Sequence, residues 1–487
     1  MSTSQTIEFL LDGRLQSVTF NGKQAMKPST TVLNYLRSLD NHKGVKEGCA
    51  EGDCGACTIV VAGPGADGSM VYEALDSCLV FLPMIHGKQL ITVENLSQKE
   101  NGEKILHPVQ QTMVTQNGSQ CGYCTPGFVM SMFALYKNHP NPSTEVVLDA
   151  LTGNLCRCTG YNPIVKAAKE ACCHEGKDHF SPHEKQVYED LKVINGKTQD
   201  IELDGGNQKY FLPAGLESAL QLRKKYPDAL IVCGATDAAL RQTKKFEHLP
   251  LIMDLSRVAE IKKFEETENA FVFGAGVNLE RMKQLTENKL DALHDMLVVF
   301  GSLQIRNMAT LGGNIGSASP IGDTLPLLFV YKATVELASE AGGRRTVPIE
   351  DFITGYRKTA LQPDELIVSV TIPKPSADSV IKSYKVSRRI DLDISTVSAA
   401  FALMLTHDNR VESIIMVYGG MAAQTQRARS AESYLQGKAW NMENIQQAMD
   451  RVEKEFTPIS DARSDAEARK IAATNLLLKF FNQTAKS

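Results

Sequence analysis

Four cysteines near the start of the chain have a spacing that could bind iron. Cys49, Cys54 and Cys57 stand as C-x4-C-x2-C, and Cys78 follows further along the chain. This is the plant-type spacing for a 2Fe–2S cluster. Glycines between the ligands permit turns that bring backbone N–H groups towards the sulfurs. Four cysteines would also satisfy zinc, but zinc sites favour two short C-x2-C pairs. The spacing therefore favours a 2Fe–2S cluster, with zinc as the alternative.

A second set of four cysteines follows within the next 80 residues. Cys121 and Cys124 stand as C-x2-C, and Cys156 and Cys158 as C-x-C. A C-x-C pair cannot place both thiolates on one helix face, so this set requires loops or helix ends. We expect it to hold a second metal centre, for which zinc alone would also be acceptable.

Two loops in the later part of the chain could hold a nucleotide cofactor. Gly234-Ala-Thr-Asp237 follows a buried strand that ends at Cys233, and it leads into a helix predicted to begin at Ala238. Backbone N–H groups at such a helix start could bind a pyrophosphate. The segment from Thr310 onwards has four glycines between Gly312 and Gly322, and this composition predicts neither a regular helix nor a strand. It could wrap closely around a ligand, or it could be an ordinary surface loop.

Composition limits the class of protein. The chain has 487 residues, 43% hydrophobic and 22% charged, with a net charge of −4. This length suggests about three domains, and the charge argues against a nucleic-acid partner. We expect no membrane helix and no secretory signal, and therefore a cytoplasmic protein. Thiols in such a compartment are more often metal ligands than disulfides. The three remaining cysteines are interpreted as small buried or semi-buried apolar residues: Cys172, Cys173 and Cys233.

The elements that must position these residues change in type along the chain. A hairpin turning at Asp12-Gly13, a helix capped by Thr30 or Thr31 and further strands predict a small sheet domain. Proline-led helices follow, then a polar linker with a short helix, then alternating strands and helices. We predict a multi-domain α+β protein with five segments: 1–94, 95–175, the linker 176–208, 209–378 and 379–487.

Two motifs carry a resemblance to a known family. The segment Gln120-Cys-Gly-Tyr-Cys-Thr-Pro-Gly127, together with Asn154-Leu-Cys-Arg-Cys-Thr-Gly-Tyr161, resembles the iron–sulfur domains of molybdenum hydroxylases. That family includes xanthine dehydrogenase and aldehyde oxidase, and the resemblance extends over essentially the whole chain. It implies a β-grasp ferredoxin-like 2Fe–2S domain at 1–94 and an all-helical 2Fe–2S domain at 95–175. It also implies a vanillyl-alcohol-oxidase-type FAD domain at 209–378 and a C-terminal α/β flavoprotein domain at 379–487.

The resemblance also assigns cofactor contacts. Gln120 would face the pterin of a molybdopterin cofactor, and the eight cysteines would bind two 2Fe–2S clusters. Tyr356 would belong to the NAD region, with either Asp391 or Asp393 on a mobile acidic loop. No residue is assigned as a general acid or base. The implied FAD contacts are Ile231, Val232, Cys233, Gly234, Ala235, Thr236, Asp237, Ala238, Phe300, Thr310, Leu311, Gly312, Gly313, Asn314, Asp323, Ile367 and Lys385. From the residues alone, Asp323 could instead cap a helix beginning at Thr324.

The combination of iron–sulfur and FAD parts without a molybdenum part resembles the small subunit of bacterial xanthine dehydrogenases. The implied function is electron transfer from a molybdopterin partner subunit through two 2Fe–2S clusters to FAD and then NAD, during oxidation of hypoxanthine and xanthine to urate. The implied assembly is a heterotetramer of two small and two large chains, with neither nucleic acid nor membrane as a partner. Three alternatives stay open: an aldehyde or N-heterocycle hydroxylase, a stand-alone NADH-oxidising flavoprotein, and a zinc protein without catalysis.

Overall fold

The computed structural model describes residues 4–22, 26–65, 67–173 and 178–485. The predicted segment boundary at 175/176 lies outside the described residues. The chain divides into two compact units. The first contains Met1–Leu222, Asp228–Val258 and Ser302–Ala309, and the second contains Arg223–Pro227, Ala259–Gly301 and Thr310–Ser487. No helix in the described ranges is long and apolar enough to cross a membrane. The five-segment division stays a prediction.

The first unit begins with a five-stranded sheet of order β2-β1-β5-β3-β4. The hairpin predicted at Asp12-Gly13 is confirmed, because both residues have positive φ angles, 49° and 78°, as a type I′ turn requires. The helix cap is also confirmed, since Thr31 Oγ1 accepts a hydrogen bond from Asn34 N. The elements are β1 (Thr6–Leu11), β2 (Arg14–Thr19), a helix at Val32–Ser38, β3 (Thr58–Pro64), β4 (Met70–Asp76) and β5 (Gln89–Ile91).

Four helices of 8 to 14 residues follow, as the proline positions predicted. Three of them carry proline in the first turn, where its missing N–H costs no hydrogen bond. They pack on one face of the sheet through a shared apolar core that includes Val60, Phe128 and Phe133. The elements are the strands β6 (Gln98–Glu100) and β7 (Glu103–Ile105), then helices at Pro108–Thr115, Thr125–Asn138, Thr144–Leu151 and Asn162–Ala171.

The buried carboxylate of Asp178 holds the segment that begins at residue 178 against these helices. Asp178 accepts a hydrogen bond from His107 Nε2 at 3.0 Å and pairs with Lys137 Nζ at 3.2 Å. Burial acts to raise the pKa of Asp178, but the hydrogen bond from His107 and the charge of Lys137 outweigh it and lower that pKa. The Asp178 carboxylate is therefore ionised in the folded protein at neutral pH.

The predicted linker holds more regular structure than expected. It contains a helix at Glu184–Asn195 and, beyond it, the strand β8 (Ile201–Asp204). That strand belongs to a four-stranded sheet of order β10-β11-β9-β8, whose core is continuous with that of the first sheet. The other elements of this part are β9 (Lys209–Leu212), helices at Leu216–Lys225, Leu240–Thr243 and Leu303–Arg306, β10 (Leu230–Val232) and β11 (Leu251–Asp254).

The second unit contains an antiparallel sheet of order β12-β13-β18-β14-β15. Only β13 was expected from the sequence; the other four strands were not predicted. The strands are β12 (Phe264–Glu266), β13 (Ala270–Gly274), β14 (Thr334–Ser339), β15 (Gly343–Pro348), the hairpin pair β16 (Ile353–Gly355) and β17 (Lys358–Thr359), and β18 (Leu366–Pro373). The helices are Leu279–Thr286, Asp291–Val298, Leu311–Gly316, Leu325–Val330 and Ile349–Phe352.

The C-terminal part corrects one fold prediction. Its sheet, of order β19-β20-β21-β22, is antiparallel, and its helices come after the strands. The predicted α/β arrangement is therefore wrong, because consecutive strands pair directly and no helix crosses over between them; this part is α+β. The elements are β19 (Val380–Val386), β20 (Val397–Leu405), β21 (Val411–Gly419), β22 (Gln426–Arg427) and helices at Arg429–Leu435, Met442–Glu455 and Ala466–Thr484. The last two helices were predicted.

Candidate functional site

The first four cysteines lie on the loop between the first helix and β3, and just after β4. Cys49 and Cys54 are partly buried, and Cys57 and Cys78 are buried. Their thiols form two hydrogen-bonded pairs, Cys49 with Cys54 and Cys57 with Cys78. A 2Fe–2S cluster shares four thiolates between two irons, so two pairs on one loop region suit that donor set.

Backbone groups favour negatively charged sulfur at Cys49, whereas the paired thiols and burial raise the pKa of Cys54 and Cys57. The N–H groups of Glu51 and Asp53 donate to Cys49 Sγ at 3.4 and 3.2 Å. The hydrogen bond from the Cys54 thiol has the largest effect, and with these backbone bonds it lowers the pKa of Cys49 to about 5, although burial acts to raise it. Gly48 must be small, since a Cβ there would lie 2.8 Å from Cys54 Sγ. The residues present therefore fit an iron–sulfur cluster.

The second set lies at loops and a helix start, as its spacing required. Cys124 is the N-cap of the Thr125–Asn138 helix, and Cys156 and Cys158 lie in the turn before the Asn162–Ala171 helix. The thiols again form two pairs, Cys124 with Cys156 and Cys121 with Cys158. Burial acts to raise the pKa of Cys156, but hydrogen bonds from Thr159 and the Cys158 N–H lower it.

This second set is open on one side. Cys121 and Cys158 are exposed, whereas Cys156 is buried. Gln120 is exposed next to them. Within the described ranges, no three or more His, Cys, Asp or Glu side chains are gathered as ligands of one metal ion.

The two cysteine loops are joined directly. The Leu155 N–H donates to the Cys54 carbonyl at 3.0 Å. Asn154 Nδ2 donates to the Gly55 carbonyl at 3.0 Å and to Thr58 Oγ1 at 3.1 Å. Gly127 completes the close approach, because a Cβ there would lie 2.1 Å from the Gly55 carbonyl oxygen. The hydrogen bond from Leu155 to Cys54 thus connects a candidate ligand of the first set, Cys54, to the residue that precedes Cys156, a candidate ligand of the second set.

The loop Gly234–Asp237 in the first unit has a conformation suited to an anion. Ala235 has a φ of +58°, unusual for a residue with a side chain. The N–H groups of Gly234, Ala235 and Thr236 have no acceptor among the described residues, and Gly234 and Ala235 are buried. Consecutive N–H groups in such a turn form an anion-binding concavity, and a buried N–H needs a partner. This loop fits a phosphate group of FAD.

One expectation about this loop is wrong. The helix after it begins at Leu240, not Ala238, and has only four residues. The available N–H groups therefore belong to the turn and not to a helix start. Of the other implied contacts here, Val232 ends β10, Ile231 precedes it, and Cys233 is partly buried. Cys172 is buried as expected, but Cys173 is exposed, so the buried interpretation is wrong for Cys173. Asp237 and Ala238 complete the turn, and Asp237 is exposed.

The glycine-rich segment from Thr310 corrects another prediction. It forms a helix at Leu311–Gly316, and the N-cap residue Thr310 accepts a hydrogen bond from Gly313 N through its hydroxyl oxygen. The helix forms because the N–H groups of Leu311 and Gly312 find acceptors in the carbonyls of Val277 and Ala275. These donors are consequently satisfied within the second unit. The Asn314 side chain accepts a hydrogen bond from Thr324.

Asp323 occupies a buried polar cluster in the second unit. Its carboxylate accepts hydrogen bonds from Lys385 Nζ at 2.9 Å and Ser395 Oγ at 2.5 Å. The capping alternative is wrong, because the N-cap of the Leu325–Val330 helix is Thr324 and has no side-chain cap bond. Lys385 also donates to the carbonyl of Val299, next to Phe300. The implied FAD contacts Asp323, Lys385 and Phe300 thus lie in one region.

The two residues left open in the acidic loop differ in their surroundings. The Asp393 carboxylate accepts hydrogen bonds from the Arg389 backbone N–H at 2.9 Å and from its guanidinium. Arg389 lowers the pKa of Asp393, although partial burial acts to raise it. The Asp391 carboxylate has no partner among the described residues. Tyr356 lies at the tip of the β16–β17 hairpin and is 62% exposed.

Several residues that order these sites were missed. Ser131 Oγ and Gln304 Nε2 both donate to Asn154 Oδ1, at 2.6 and 3.0 Å, inside the core of the first unit. Ser395 holds Asp323. The Asn154 position inside the quoted motif was an available signal; Gln304 and Ser395 stand in segments without a distinguishing pattern.

Three family models match the chain. A [2Fe–2S] binding domain matches residues 92–169. An FAD binding domain in molybdopterin dehydrogenase matches residues 204–375, and a CO dehydrogenase flavoprotein C-terminal domain matches residues 382–484. These matches define an iron–sulfur flavoprotein.

Curated relatives and a solved structure agree with this class. The xanthine dehydrogenase of Emericella nidulans is 33% identical over 93% of this chain and 36% of its own length. Aldehyde oxidase 3 of Rattus norvegicus is 29% identical over 96% of this chain and 39% of its own length. A carbon monoxide dehydrogenase structure from Hydrogenophaga pseudoflava aligns with a TM-score of 0.53 and 25% identity, covering 55% of this chain and 94% of that one. The chain belongs to the molybdenum hydroxylase family, and it spans well under half the length of these two relatives.

Proposed function

We propose that this chain transfers electrons between a molybdopterin-binding partner subunit and NAD. The route runs from the partner to a 2Fe–2S cluster at Cys121, Cys124, Cys156 and Cys158, then to one at Cys49, Cys54, Cys57 and Cys78, and then to FAD. When bound, FAD exchanges electrons singly with iron–sulfur clusters and in pairs with nicotinamide. The observation that carries the proposal is the hydrogen bond from Leu155 N to the Cys54 carbonyl, which joins the two cluster loops.

The partner is proposed to dock beside the second cysteine set. The exposed Cys121 and Cys158 leave one edge of that cluster accessible. Large apolar side chains are exposed around it, including Tyr123 (49%), Leu155 (37%) and Tyr161 (41%). Such a patch on a surface is typical of a protein interface. Gln120 would face the pterin there.

The finer assignments rest on the resemblance and on the relatives. The proposed substrates are hypoxanthine and xanthine, since several relatives are xanthine dehydrogenases. The proposed assembly is a cytoplasmic heterotetramer with two small and two large chains. The proposed folds are β-grasp for the first cluster region and vanillyl-alcohol-oxidase-type for the FAD region. An aldehyde or N-heterocycle substrate is the alternative, which the aldehyde oxidase relative keeps open.

The FAD contacts are proposed in two groups. The turn around Gly234–Thr236 would bind the pyrophosphate through its N–H groups, and the region around Phe300, Thr310–Asn314 and Ile367 would contact the rest of the flavin. Asp323 and Lys385 would contact the flavin from their ion pair. Asp391 is preferred over Asp393 on the NAD side, because Asp393 is already engaged by Arg389.

Metal analysis and stepwise reduction test the relay. The native chain should contain four irons and four sulfides, with two distinct reduced signals in electron paramagnetic resonance, whereas stoichiometric zinc with little iron would contradict the proposal. NADH should reduce both clusters. Cys156→Ser should remove one signal and leave NADH reduction of the other. Cys57→Ser should remove the other signal and block NADH reduction of the remaining cluster, although dithionite still reduces it.

A matched control is available in Cys172, which is buried but outside both sets. Cys172→Ser should keep both signals and both reductions. If the remaining cluster of Cys57→Ser is reduced by NADH as fast as in the parent, the proposed order of the clusters is wrong. Assays of the native complex with xanthine, aldehydes and N-heterocycles, each with NAD, then identify the substrate class.

A further inference from the structure

A polar cavity in the first unit has none of the cysteines discussed above in its lining. Its volume is about 240 Å³, which is enough for several water molecules or a small organic molecule. It is lined by the start of β1, the turn before β5 and the segment around 197–201. The polar and charged side chains around it include Ser4, Thr6, Glu8, His86, Lys197 and Arg257.

His86 supplies an unused hydrogen-bond donor to this cavity. Its side chain is buried, and the residue is only 6% exposed. Nδ1 accepts the backbone N–H of Glu8 at 3.0 Å, so the neutral ring carries its proton on Nε2. Nε2 has no hydrogen-bond partner among the described residues. A buried donor of this kind is costly unless a ligand or water accepts from it.

The charges of the cavity leave one cation without a counterion. Lys197 pairs with Glu8 at 2.5 Å, so these two charges cancel. Arg257 donates instead to two backbone carbonyls, those of Lys197 at 3.0 Å and Gln199 at 3.3 Å. Within the described residues, no carboxylate lies within ion-pair distance of Arg257.

Two carboxylates, Asp200 and Asp254, act on Arg257 through their charge, but both accept their hydrogen bonds from other groups. Asp200 accepts hydrogen bonds from Ala214 N and Ser218 Oγ. Asp254 accepts them from Tyr210 Oη and Ser256 N. The half-buried guanidinium is therefore a positive charge without a direct carboxylate partner among the described residues.

The titration of His86 agrees with this environment. Burial, together with the positive charge of Arg257, lowers the pKa of His86 to about 4, although Glu8 acts to raise it. The ring is thus neutral at pH 7 and presents an N–H donor beside a cation. A guanidinium and a neutral N–H together suit the oxygen atoms of an anion.

We propose that this cavity is a binding site for a small oxyanion, a carboxylate or a phosphate, held by Arg257 and His86 Nε2. One anion binds per chain. It accepts hydrogen bonds from the His86 ring and pairs with the Arg257 charge, and the Thr6 and Ser4 hydroxyls lie at the cavity wall. The site is separate from the proposed electron route, so it stands whether or not that route is correct.

Direct binding to the purified full chain tests the site. Equilibrium dialysis is performed with radiolabelled inorganic phosphate and, separately, with radiolabelled acetate, both at constant ionic strength set by chloride. We expect saturable uptake of one equivalent of at least one of them, with a Kd of about 1 mM or lower. Preference between the two probes distinguishes a phosphate site from a carboxylate site. Absence of saturable uptake of both up to 10 mM would overturn the proposal and leave a water-filled cleft.

Variants locate the binding. Arg257→Gln should weaken binding at least tenfold, and His86→Gln at least threefold. Arg241→Gln is the matched control, because it removes the same charge from the same unit at a surface pair with Glu247 outside the cavity. Equal weakening in Arg241→Gln and Arg257→Gln would mean a general charge effect and would refute the site. If Arg257→Gln does not fold, the His86→Gln result and the parent titration still decide.

Discussion

Asn154 offers the sharpest test of how the two cysteine loops are held together. It is 2% exposed, and its side chain makes four hydrogen bonds: to the Gly55 carbonyl, to Thr58 Oγ1, and from Ser131 Oγ and Gln304 Nε2. Each such bond contributes about 1 kcal/mol, and a buried group left unpaired costs about 1–3 kcal/mol. Asn154→Ala should therefore lower the free energy of unfolding of the first unit by roughly 4 kcal/mol.

The measurement follows the visible iron–sulfur absorption during urea unfolding. With a slope of about 3 kcal/mol/M for a unit of this size, the midpoint should fall by about 1 M or more. The reduction of the second cluster by NADH should also slow, because the Leu155–Cys54 contact lies beside the lost bonds. Both clusters should still be present in the variant before urea is added.

The control is Asn444→Ala in the second unit. This substitution removes two side-chain hydrogen bonds, one donated to the Ala439 carbonyl at 2.9 Å and one accepted from Tyr434 Oη at 3.1 Å. It should leave the midpoint of the iron–sulfur transition unchanged. If Asn154→Ala shifts that midpoint no more than the control does, the buried amide does not hold the two loops together and the reasoning is wrong.

Three further outcomes are expected. Gly234→Ala should weaken FAD retention at least tenfold in a flavin-release assay, because its Cβ would lie 1.7 Å from the carbonyl oxygen of Met308 and the loop must shift; unchanged retention would contradict a phosphate role for this turn. Asp178→Asn should have a lower urea midpoint than the parent at pH 7, and its midpoint should change less than that of the parent as the pH falls. The folded pKa of Asp178 is depressed, so its stabilisation is present above about pH 4 and disappears as the pH falls below that; parallel acid profiles would refute this. Asp391→Asn should raise the KM for NADH more than Asp393→Asn in assays with an artificial acceptor, and the reverse order would exchange their proposed roles.

Local signals in the sequence predicted many elements correctly. The Asp12-Gly13 turn, the Thr31 cap and the first-turn proline Pro108 act over three or four residues, and each has the predicted position. The need for loops or helix ends around the second cysteine set followed from the C-x-C spacing, and it is confirmed. These features can be predicted from the sequence because the residues that cause each of them lie within the same short segment.

Tertiary contacts decided the predictions that were wrong. The Thr310 segment contains glycines that favour irregular structure, yet carbonyls of Val277 and Ala275 accept its first N–H groups and a short helix forms. The Asp323 cap was a sound local expectation, but Lys385, 62 residues away, takes the carboxylate instead. A partner this distant leaves no trace in the local pattern.

The same reasoning explains why the two cysteine sets could be proposed from sequence while their connection could not. The spacing within each cysteine set indicates which thiols share a loop. It contains no information on the distance between the loops of the two sets. Asn154 lies two residues before Cys156, and its partners Gly55, Ser131 and Gln304 come from three separate parts of the chain. The buried Asn154 amide donates to the Gly55 carbonyl and to Thr58 Oγ1, and these two bonds would be lost if the loops separated. Ser131 and Gln304 hold the oxygen of the same amide in place. We infer that the distance between the two proposed clusters is fixed by this shared network more than by either loop alone, and electron transfer between them would depend on that distance.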